Sequence, residues 1–261
     1  GDVLLSEKIF GARFIQTSTA QARDEIIARG APPEKVFLIR RSAPPADHAP
    51  SVDALSNRTK PGADPIEKAP GRSTRKDPTR ILCVGRLVEK KGYFELLTIL
   101  RQCLDESIPF VASIIGKGPL REKLEGRISS LNLQDHVELM GDKPYHEVAA
   151  AYRNDADVLF FTGKTANSGD RDGLPNVVIE AMSAGVPVFA SNSGAVAEAI
   201  QPGVTGELID ISRPDLWANS LRRLVNDPKY AASLRRAAKQ WVEQQCNPST
   251  NALALAERLV S

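Results

Sequence analysis

The stretch RILCVGRLVEKKGYFELLTILRQCLDESIPFVASIIG, residues 80–116, decides the fold class. Residues 80–87 and 109–116 are short apolar runs, which is typical of strands that are buried on both faces. Between them, residues 93–107 repeat apolar residues at helical spacing. The stretch therefore predicts two parallel strands that are joined by a covering helix.

The same alternation continues towards the C-terminus. Further strands are predicted in HVELMG, DVLFF, VPVFAS and TGELID, and further helices in LREKLEGRISSLN, residues 145–154, PNVVIEAMSAG, AVAEAI, residues 214–226 and residues 228–245. A terminal helix, STNALALAERLVS, follows a break at Pro248. Apolar strands separated by helices indicate a parallel sheet that is covered on each side. The predicted fold class is α/β, a doubly wound parallel sheet.

The N-terminal part of the chain predicts a smaller unit of strand, helix and strand. ARFIQT (12–17) and EKVFLIR (34–40) are predicted strands, and the helix at 20–29 is predicted to begin after a cap at Ser18 or Thr19.

Residues 42–79 contain seven prolines and no aromatic residue, so they are predicted to be a Pro-rich linker. Their basic run, RSTRK, leaves open a contact with phosphates or lipid headgroups, besides a solvated tether. The predicted units are residues 1–41, the linker 42–79, a main domain at 80–245 and a terminal helix at 246–261.

Composition and charge argue against several classes of function. Lys and Arg number 34 against 32 Asp and Glu, and a net charge of +2 gives no sign of nucleic acid as a partner. The three cysteines, at 83, 103 and 246, form no C-x-x-C pair, so neither a disulfide framework nor a metal site is predicted. No apolar run approaches the ~18 residues of a membrane span, and no signal-peptide pattern is found. We therefore expect a cytoplasmic protein that needs no metal.

The loops after the predicted strands are the places to look for chemistry, because open parallel sheets bind ligands at the carboxyl ends of their strands. Arg86, Lys90 and Lys91 follow the first strand, and GKGP follows the second. Neither loop has the spacing of a Walker motif or of a dinucleotide fingerprint. We expect Lys90 to lie on a solvated face.

The third loop, TGKTANSGDRDGLP, leads into a helix with unusual surroundings. Pro175 suits the first helical position, and the amides of residues 176–178 would then favour an anion at the helix start. Asp172 and Glu180 could approach the same ligand from two sides. Taken alone, they are equally well explained as an ordinary acid at a helix start and a solvated or ion-paired glutamate.

Taken together, several motifs resemble one family. VGRLVEKKG, IIGKGPLREKL, VELMG, ADVLFFTG and DGLPNVVIEAMSAGVPVFAS, in this order, resemble the C-terminal donor-binding domain of retaining glycosyltransferases of family 4, which have the GT-B fold. The resemblance covers residues 80–261. Residues 12–40 are similar to the end of that family's N-terminal domain, and residues 251–260 to the helix that crosses back onto it.

The resemblance implies roles for individual residues. Arg86 and Lys91 match the basic pair on the donor diphosphate, and Glu180 matches the second acid of the E-x7-E motif, which holds the ribose. Asp172 stands where the family usually has glutamate. The implied catalytic residues are Arg86, Lys91, Asp172 and Glu180. The implied donor-binding residues are Arg86, Lys91, Gly116, Met140, Gly141, Gly173, Leu174, Pro175 and Glu180.

The implied substrate is a nucleotide-diphosphate sugar, with an acceptor that the sequence does not identify. We expect the chain to hold only the last part of the N-terminal domain, so that the rest is supplied in cis or in trans. A non-catalytic nucleotide-sugar-binding subunit or sensor is the alternative. An epimerase or phosphorylase of the same fold is a weaker third option. The turn LIRRSAPP departs from the family pattern, and contact with the inner face of a membrane is left open.

Overall fold

The computed structural model describes residues 8, 9, 11–43 and 78–260. Most of the predicted linker, at 44–77, lies outside the described residues.

The N-terminal unit is a small parallel sheet with one helix. Strands β1 (Ile15–Thr17) and β2 (Val36–Leu38) pair in parallel, and helix α1 (Ala20–Ala28) connects them. Thr19, rather than Ser18, caps the helix, because its side-chain oxygen accepts the amide of Ala22 at 3.1 Å. The predicted strand, helix and strand are therefore confirmed.

The main sheet has six parallel strands in the order β5-β4-β3-β6-β7-β8. Its strands are β3 (Thr79–Val84), β4 (Phe110–Ile115), β5 (Val137–Gly141), β6 (Val158–Phe161), β7 (Val188–Ala190) and β8 (Glu207–Leu208). The helices of this part are α2 (Tyr93–Asp105), α3 (Arg121–Ser130), α4 (Tyr145–Asn154), α5 (Asn176–Ser183), α6 (Pro214–Asn226), α7 (Pro228–Gln245) and α8 (Pro248–Val260). The predicted doubly wound parallel sheet is confirmed.

Two apolar cores lie on opposite faces of this sheet. Ile81 and Cys83 of β3 pack into the core that α2, α3 and α6 cover, whereas Leu82 packs into the core under α4, α5 and α7. Successive residues of a strand point to opposite faces, so a strand that lies between two cores must be apolar throughout. This requirement explains the uninterrupted apolar runs in the sequence.

Two elements differ from the sequence predictions. AVAEAI forms only a 3-10 turn, Val196–Glu198, instead of a short α-helix. The predicted strand TGELID is reduced to Glu207–Leu208 at the sheet edge, where only one neighbouring strand is available for pairing.

The terminal helix α8 contacts the N-terminal unit. The side chain of Asn251 donates to the backbone oxygen of Arg40 at 2.8 Å, and the guanidinium of Arg258 lies 4.1 Å from the ring centre of Phe37. Just before the helix, the oxygen of Cys246 accepts the amide of Ala43 at 3.0 Å. The two ends of the described chain are thus held together. No helix in the described parts is long and apolar enough to cross a membrane.

Candidate functional site

Glycine turns bring the ends of three neighbouring strands close together. The amide of Gly85, after β3, donates to Ile115 at 2.9 Å, and the amide of Gly116, after β4, donates to Gly141 at 2.8 Å. A Cβ on Gly116 would lie 2.0 Å from the backbone oxygen of Gly85, and its φ is +148°. Only glycine fits there, which explains why the GKGP loop begins with Gly116.

Lys91 lies across this edge and reaches the loop that follows β6. Its stem lies 3.3 Å from where a Cβ on Gly85 would be, and its Nζ lies 2.8 Å from Oδ2 of Asp172. The same ammonium lies 5.4 Å from the ring centre of Phe161. The structure therefore brings together Lys91 and Asp172, which are 81 residues apart in the sequence.

Lys90 is not on a solvated face, so the prediction for it was wrong. Only 13% of its side chain is exposed, and its Nζ lies 3.0 Å from Asp170 and 3.5 Å from Asp172. Two lysines therefore flank one carboxylate. The sequence could not indicate this burial, because the acids that draw Lys90 inward belong to a distant loop.

Arg86 lies at the same edge but is exposed. Its neighbour Leu87 is fixed, because the amide of Leu87 donates to Lys117 at 2.9 Å. Within the described part of the chain, the guanidinium of Arg86 makes no hydrogen bond or ion pair. The backbone is thus anchored while the cation is available to a ligand.

The start of α5 differs from the prediction by one residue. Pro175 is the N-cap, with an extended backbone (φ −70°, ψ 133°), and Asn176 is the first helical residue. The amide of Val178 donates to the oxygen of Pro175 at 3.1 Å and is therefore occupied. The amides of Asn176 and Val177 take part in no hydrogen bond among the described residues. Two amides, rather than three, are available to an anion.

Glu180 is a half-buried acid on α5 and forms no ion pair with a described residue. The hydroxyl of Tyr152 donates to its Oε2 at 3.3 Å. Burial raises the pKa of the Glu180 carboxyl, and the bond from Tyr152 only partly offsets this effect. Glu180 is therefore neither a fully solvated residue nor paired with a cation of the described chain.

Two buried tyrosines, one from each core, bond to residues at the carboxyl ends of the strands. The hydroxyl of Tyr93 donates to Gly85 at 2.9 Å, and its pKa is raised by burial, by Cys83 and by the charge of Asp172. Burial also raises the pKa of Tyr152, to which Glu180 and, more weakly, Tyr93 contribute.

The remaining predicted donor-binding residues lie at the end of β5 and before α5. Met140 and Gly141 lie at the end of β5 and are half-buried, and Met140 packs against the core under α5. Gly173 is exposed in the loop before α5, whereas Leu174 is half-buried against that core.

A cleft of about 430 Å³ opens beside Glu180. One wall belongs to the start of α5, and the other comes from the N-terminal unit, the two residues that follow it and the start of α8. The lining residues are Leu174, Asn176, Ile179 and Glu180 on the first side, and Ser18, Arg41, Ser42, Ala43 and Pro248 on the second. Arg41, which the sequence analysis did not assign, lies 3.5 Å from the side chain of Asn176. In the sequence, Arg41 was marked only by its place in the turn LIRRSAPP, which departs from the family pattern.

The loop after β7 packs against the backbone of Asp172 and Gly173. A Cβ on Gly194 would lie 1.9 Å from the backbone oxygen of Asp172. The amide of Ala195 donates to Gly173 at 3.3 Å. The position of Asp172 therefore depends on the close approach of two loops.

The same loop also holds the N-terminal unit through Glu198, which the sequence analysis missed. Its carboxylate accepts the amides of Ala20 and Gln21 at 2.9 and 3.0 Å, at the start of α1. Arg40 lies 2.5 Å from it. Burial favours the protonated acid, but these three donors outweigh burial and lower the pKa of Glu198. We call this group of residues the Glu198 clasp.

Among the residues that the structure describes, no three His, Cys, Asp or Glu side chains gather in a way that could hold a metal ion.

Comparisons with known proteins give the family and the fold. The family model described as glycosyl transferases group 1 matches residues 66–241. The amylovoran biosynthesis glycosyltransferase AmsK of Erwinia amylovora is 31% identical over 236 residues, which cover 90% of this chain and 53% of AmsK. A GDP-mannose-dependent phosphatidylinositol monomannoside mannosyltransferase of Mycolicibacterium smegmatis is 32% identical over 80% of this chain and 54% of its own. The chain thus spans about half the length of these curated relatives.

Solved structures share the fold. HepE of Anabaena, in complex with UDP and glucose, matches 99% of this chain and 66% of its own with a TM-score of 0.72, at 20% identity. The prediction that the main sheet is one half of a GT-B glycosyltransferase is confirmed. The family match covers more than half of the chain, and the chain belongs to the group 1 glycosyltransferases.

Proposed function

We propose that this chain supplies the donor-binding half of a retaining glycosyltransferase of family 4, which transfers a sugar from a nucleotide diphosphate without a metal ion. The rest of the N-terminal domain, in cis or in trans, would supply the acceptor side. The proposed acceptor is a glycoconjugate under assembly, and the proposed location is the cytoplasm, with contact to the inner face of the membrane.

The observation that carries the proposal is the gathering of positive groups at one edge of the sheet. Lys91 and the exposed cation of Arg86 follow β3, and the amides of Asn176 and Val177 begin the helix that follows β6, so all of them lie beyond the carboxyl ends of these two strands. A diphosphate is the ligand that such a set favours. Glu180, whose carboxylate accepts a long hydrogen bond from Tyr152, has further lone pairs to accept the hydroxyls of a ribose.

The chemistry follows from the charge of the leaving group. Breaking the bond between the sugar and the diphosphate leaves negative charge on the nucleotide, and fixed cations and amide dipoles stabilise that charge in the transition state. Arg86, Lys91 and the start of α5 would do so in place of a metal ion. The proposed role of Asp172 lies nearer to the donor sugar.

The relatives support a nucleotide-sugar donor but differ in the base. The mannosyltransferase of Mycolicibacterium smegmatis depends on GDP-mannose, whereas HepE was solved with UDP and glucose. We therefore propose the diphosphate, ribose and sugar as the recognised parts and leave the base to experiment.

Calorimetric titration of the purified chain with UDP, GDP and ADP tests the proposal. We expect one of them to bind and Lys91→Ala to weaken that binding by about tenfold to a hundredfold, since one preorganised charge contact typically contributes this much. Lys123→Ala, which removes the same charge from the exposed side of α3, should bind as the original chain does. A folded chain that binds none of the three nucleotides would refute the proposal.

Transfer itself requires the full-length gene product. We expect that product to move the sugar from the donor with retention at the anomeric carbon. A product that binds donor and completes no transfer, with any acceptor or with water, would favour the nucleotide-sugar sensor instead.

A further inference from the structure

The 3-10 turn between β3 and α2, Glu89–Lys91, contacts the loop between β6 and α5. Two amides of the loop donate to the turn: that of Asn167 to Oε1 of Glu89 at 3.1 Å, and that of Lys164 to the backbone oxygen of Lys90 at 2.8 Å. Two ion pairs add to these bonds, from Lys90 to Asp170 at 3.0 Å and from Lys91 to Asp172 at 2.8 Å. The position of the loop therefore depends on its contacts with this turn.

Asp172 has a lysine on each side. Its Oδ2 lies 2.8 Å from Lys91 and its Oδ1 lies 3.5 Å from Lys90. The three side chains are only 13 to 16% exposed. Charges so far removed from water need counter-charges close by, because the surrounding protein screens them weakly.

In the proposed function, a donor diphosphate competes with Asp172 for Lys91. If Lys91 turned to the phosphates and nothing else neutralised Asp172, a shielded carboxylate would remain unpaired next to a second negative group. That arrangement would oppose nucleotide binding. A second cation on Asp172 removes the conflict.

We infer that Lys90 is this second cation, a positioning residue that neutralises Asp172 so that Lys91 is free to bind the diphosphate. The inference rests on the proposed function and adds a residue to it.

A merely structural Lys90 would give different results. In that case its role would be to tie down the loop through Asp170, and its loss would loosen the loop whatever residue stood at 172. Lys164 provides the matched control, because its ammonium ties the same loop to Glu95 at 2.6 Å without touching Asp172.

The test is a double-mutant cycle on the full chain, with affinity for the nucleoside diphosphate that binds best measured by calorimetry. Lys90→Ala should weaken binding about tenfold, as expected for the loss of one charge interaction at this range. Lys90→Arg should restore most of the affinity. Asp172→Asn should bind at least as well as the original chain, and adding Lys90→Ala to it should change affinity less than twofold. Lys164→Met should bind normally in both backgrounds.

Three results would overturn the inference: unchanged affinity of Lys90→Ala, an equal loss in the Asp172→Asn background, or an equal loss from Lys164→Met. Thermal unfolding of each variant identifies any that fail to fold, and Lys90→Arg then replaces Lys90→Ala as the informative variant, with affinity near the original expected. If the original chain binds no nucleoside diphosphate, the proposed function itself fails, which is a different outcome from any of these three.

Discussion

Burial of the Glu180 carboxylate lowers the stability of the folded chain at neutral pH, although the same carboxylate is the proposed ligand of the ribose. Burial disfavours its ionised form, so its pKa in the folded chain lies above the value of 4.5 that it has when exposed. A raised pKa means that the folded state holds the proton more tightly than the unfolded state. The favourable contribution of the protonated acid is therefore complete below pH 4.5 and is lost as the pH rises through the raised pKa.

Glu180→Gln should consequently be more stable than the original chain at pH 7, because it removes a buried charge and keeps the shape. The difference in melting temperature should shrink as the pH falls from the raised pKa towards 4.5, and it should be gone below 4.5, where Glu180 is protonated in both states. Nucleotide affinity should fall about tenfold, since a hydrogen bond to a charged group is worth roughly 1.5 kcal/mol or more. Unfolding curves across pH, with calorimetry at pH 7, measure both effects. Unchanged affinity would mean that Glu180 does not hold the ribose.

At the scale of elements, the site depends on how closely the loop after β7 approaches the loop before α5. Gly194 has a φ of +61°, and a Cβ there would lie 1.9 Å from the oxygen of Asp172. A side chain at this position would both strain its own backbone and push Asp172 away.

Gly194→Ala should therefore lower the free energy of unfolding by about 1 to 3 kcal/mol and weaken nucleotide binding as well. Gly126→Ala is the matched control, because Gly126 lies within α3 with nothing near its missing Cβ. That change should stabilise the chain by about 0.5 to 1 kcal/mol and leave binding alone. Denaturant unfolding measures the stability of each variant, and calorimetry measures its nucleotide affinity. Equal stabilities for the two variants would show that the two loops can separate easily.

At the scale of the whole molecule, the Glu198 clasp joins the N-terminal unit to the main sheet. It holds the cleft wall that contains Ser18 and Arg41, because Glu198 contacts Ala20, two residues after Ser18, and Arg40, which adjoins Arg41. The loop that carries Glu198 also supports Asp172. Loss of the clasp should therefore loosen one wall of the cleft.

Glu198→Gln should lower the free energy of unfolding by about 2 kcal/mol at neutral pH, since it removes the charge from a partly buried set of three hydrogen bonds. The pKa of Glu198 is lowered in the folded chain, so this stabilisation is present above 4.5 and disappears as the pH falls through the lowered pKa. The original chain and the variant should thus converge in acid. Asp24→Asn, which breaks an exposed pair with Arg23, should have little effect at any pH. A constant gap between Glu198→Gln and the original chain down to the acid limit would contradict this account.

The sequence predicted what local patterns determine. The helices at 214–226 and 228–245 were predicted to the residue, because each has a proline at its first position and the second has an aspartate cap, Asp227. The six strands follow from apolar runs that two cores require. The pairing of Lys91 with Asp172 could be suspected only from the family resemblance.

The rest depended on contacts between distant segments. The burial of Lys90, the Glu198 clasp and the place of Arg41 in the cleft each join residues that are roughly 80 to 180 positions apart. No local pattern of spacing or composition encodes which distant loop a charged side chain will meet. The turn at Glu198 was likewise predicted as a helix, since its pairing with α1 is not visible in AVAEAI.

The most direct test of the central claim is a crystal structure of the chain with the nucleoside diphosphate that it binds. We expect the diphosphate within hydrogen-bonding distance of Lys91, Arg86 and the amides of Asn176 and Val177, and the ribose hydroxyls on Glu180. A nucleotide bound with its phosphates away from the carboxyl ends of β3 and β6, or with Glu180 still bonded only to Tyr152, would contradict the account.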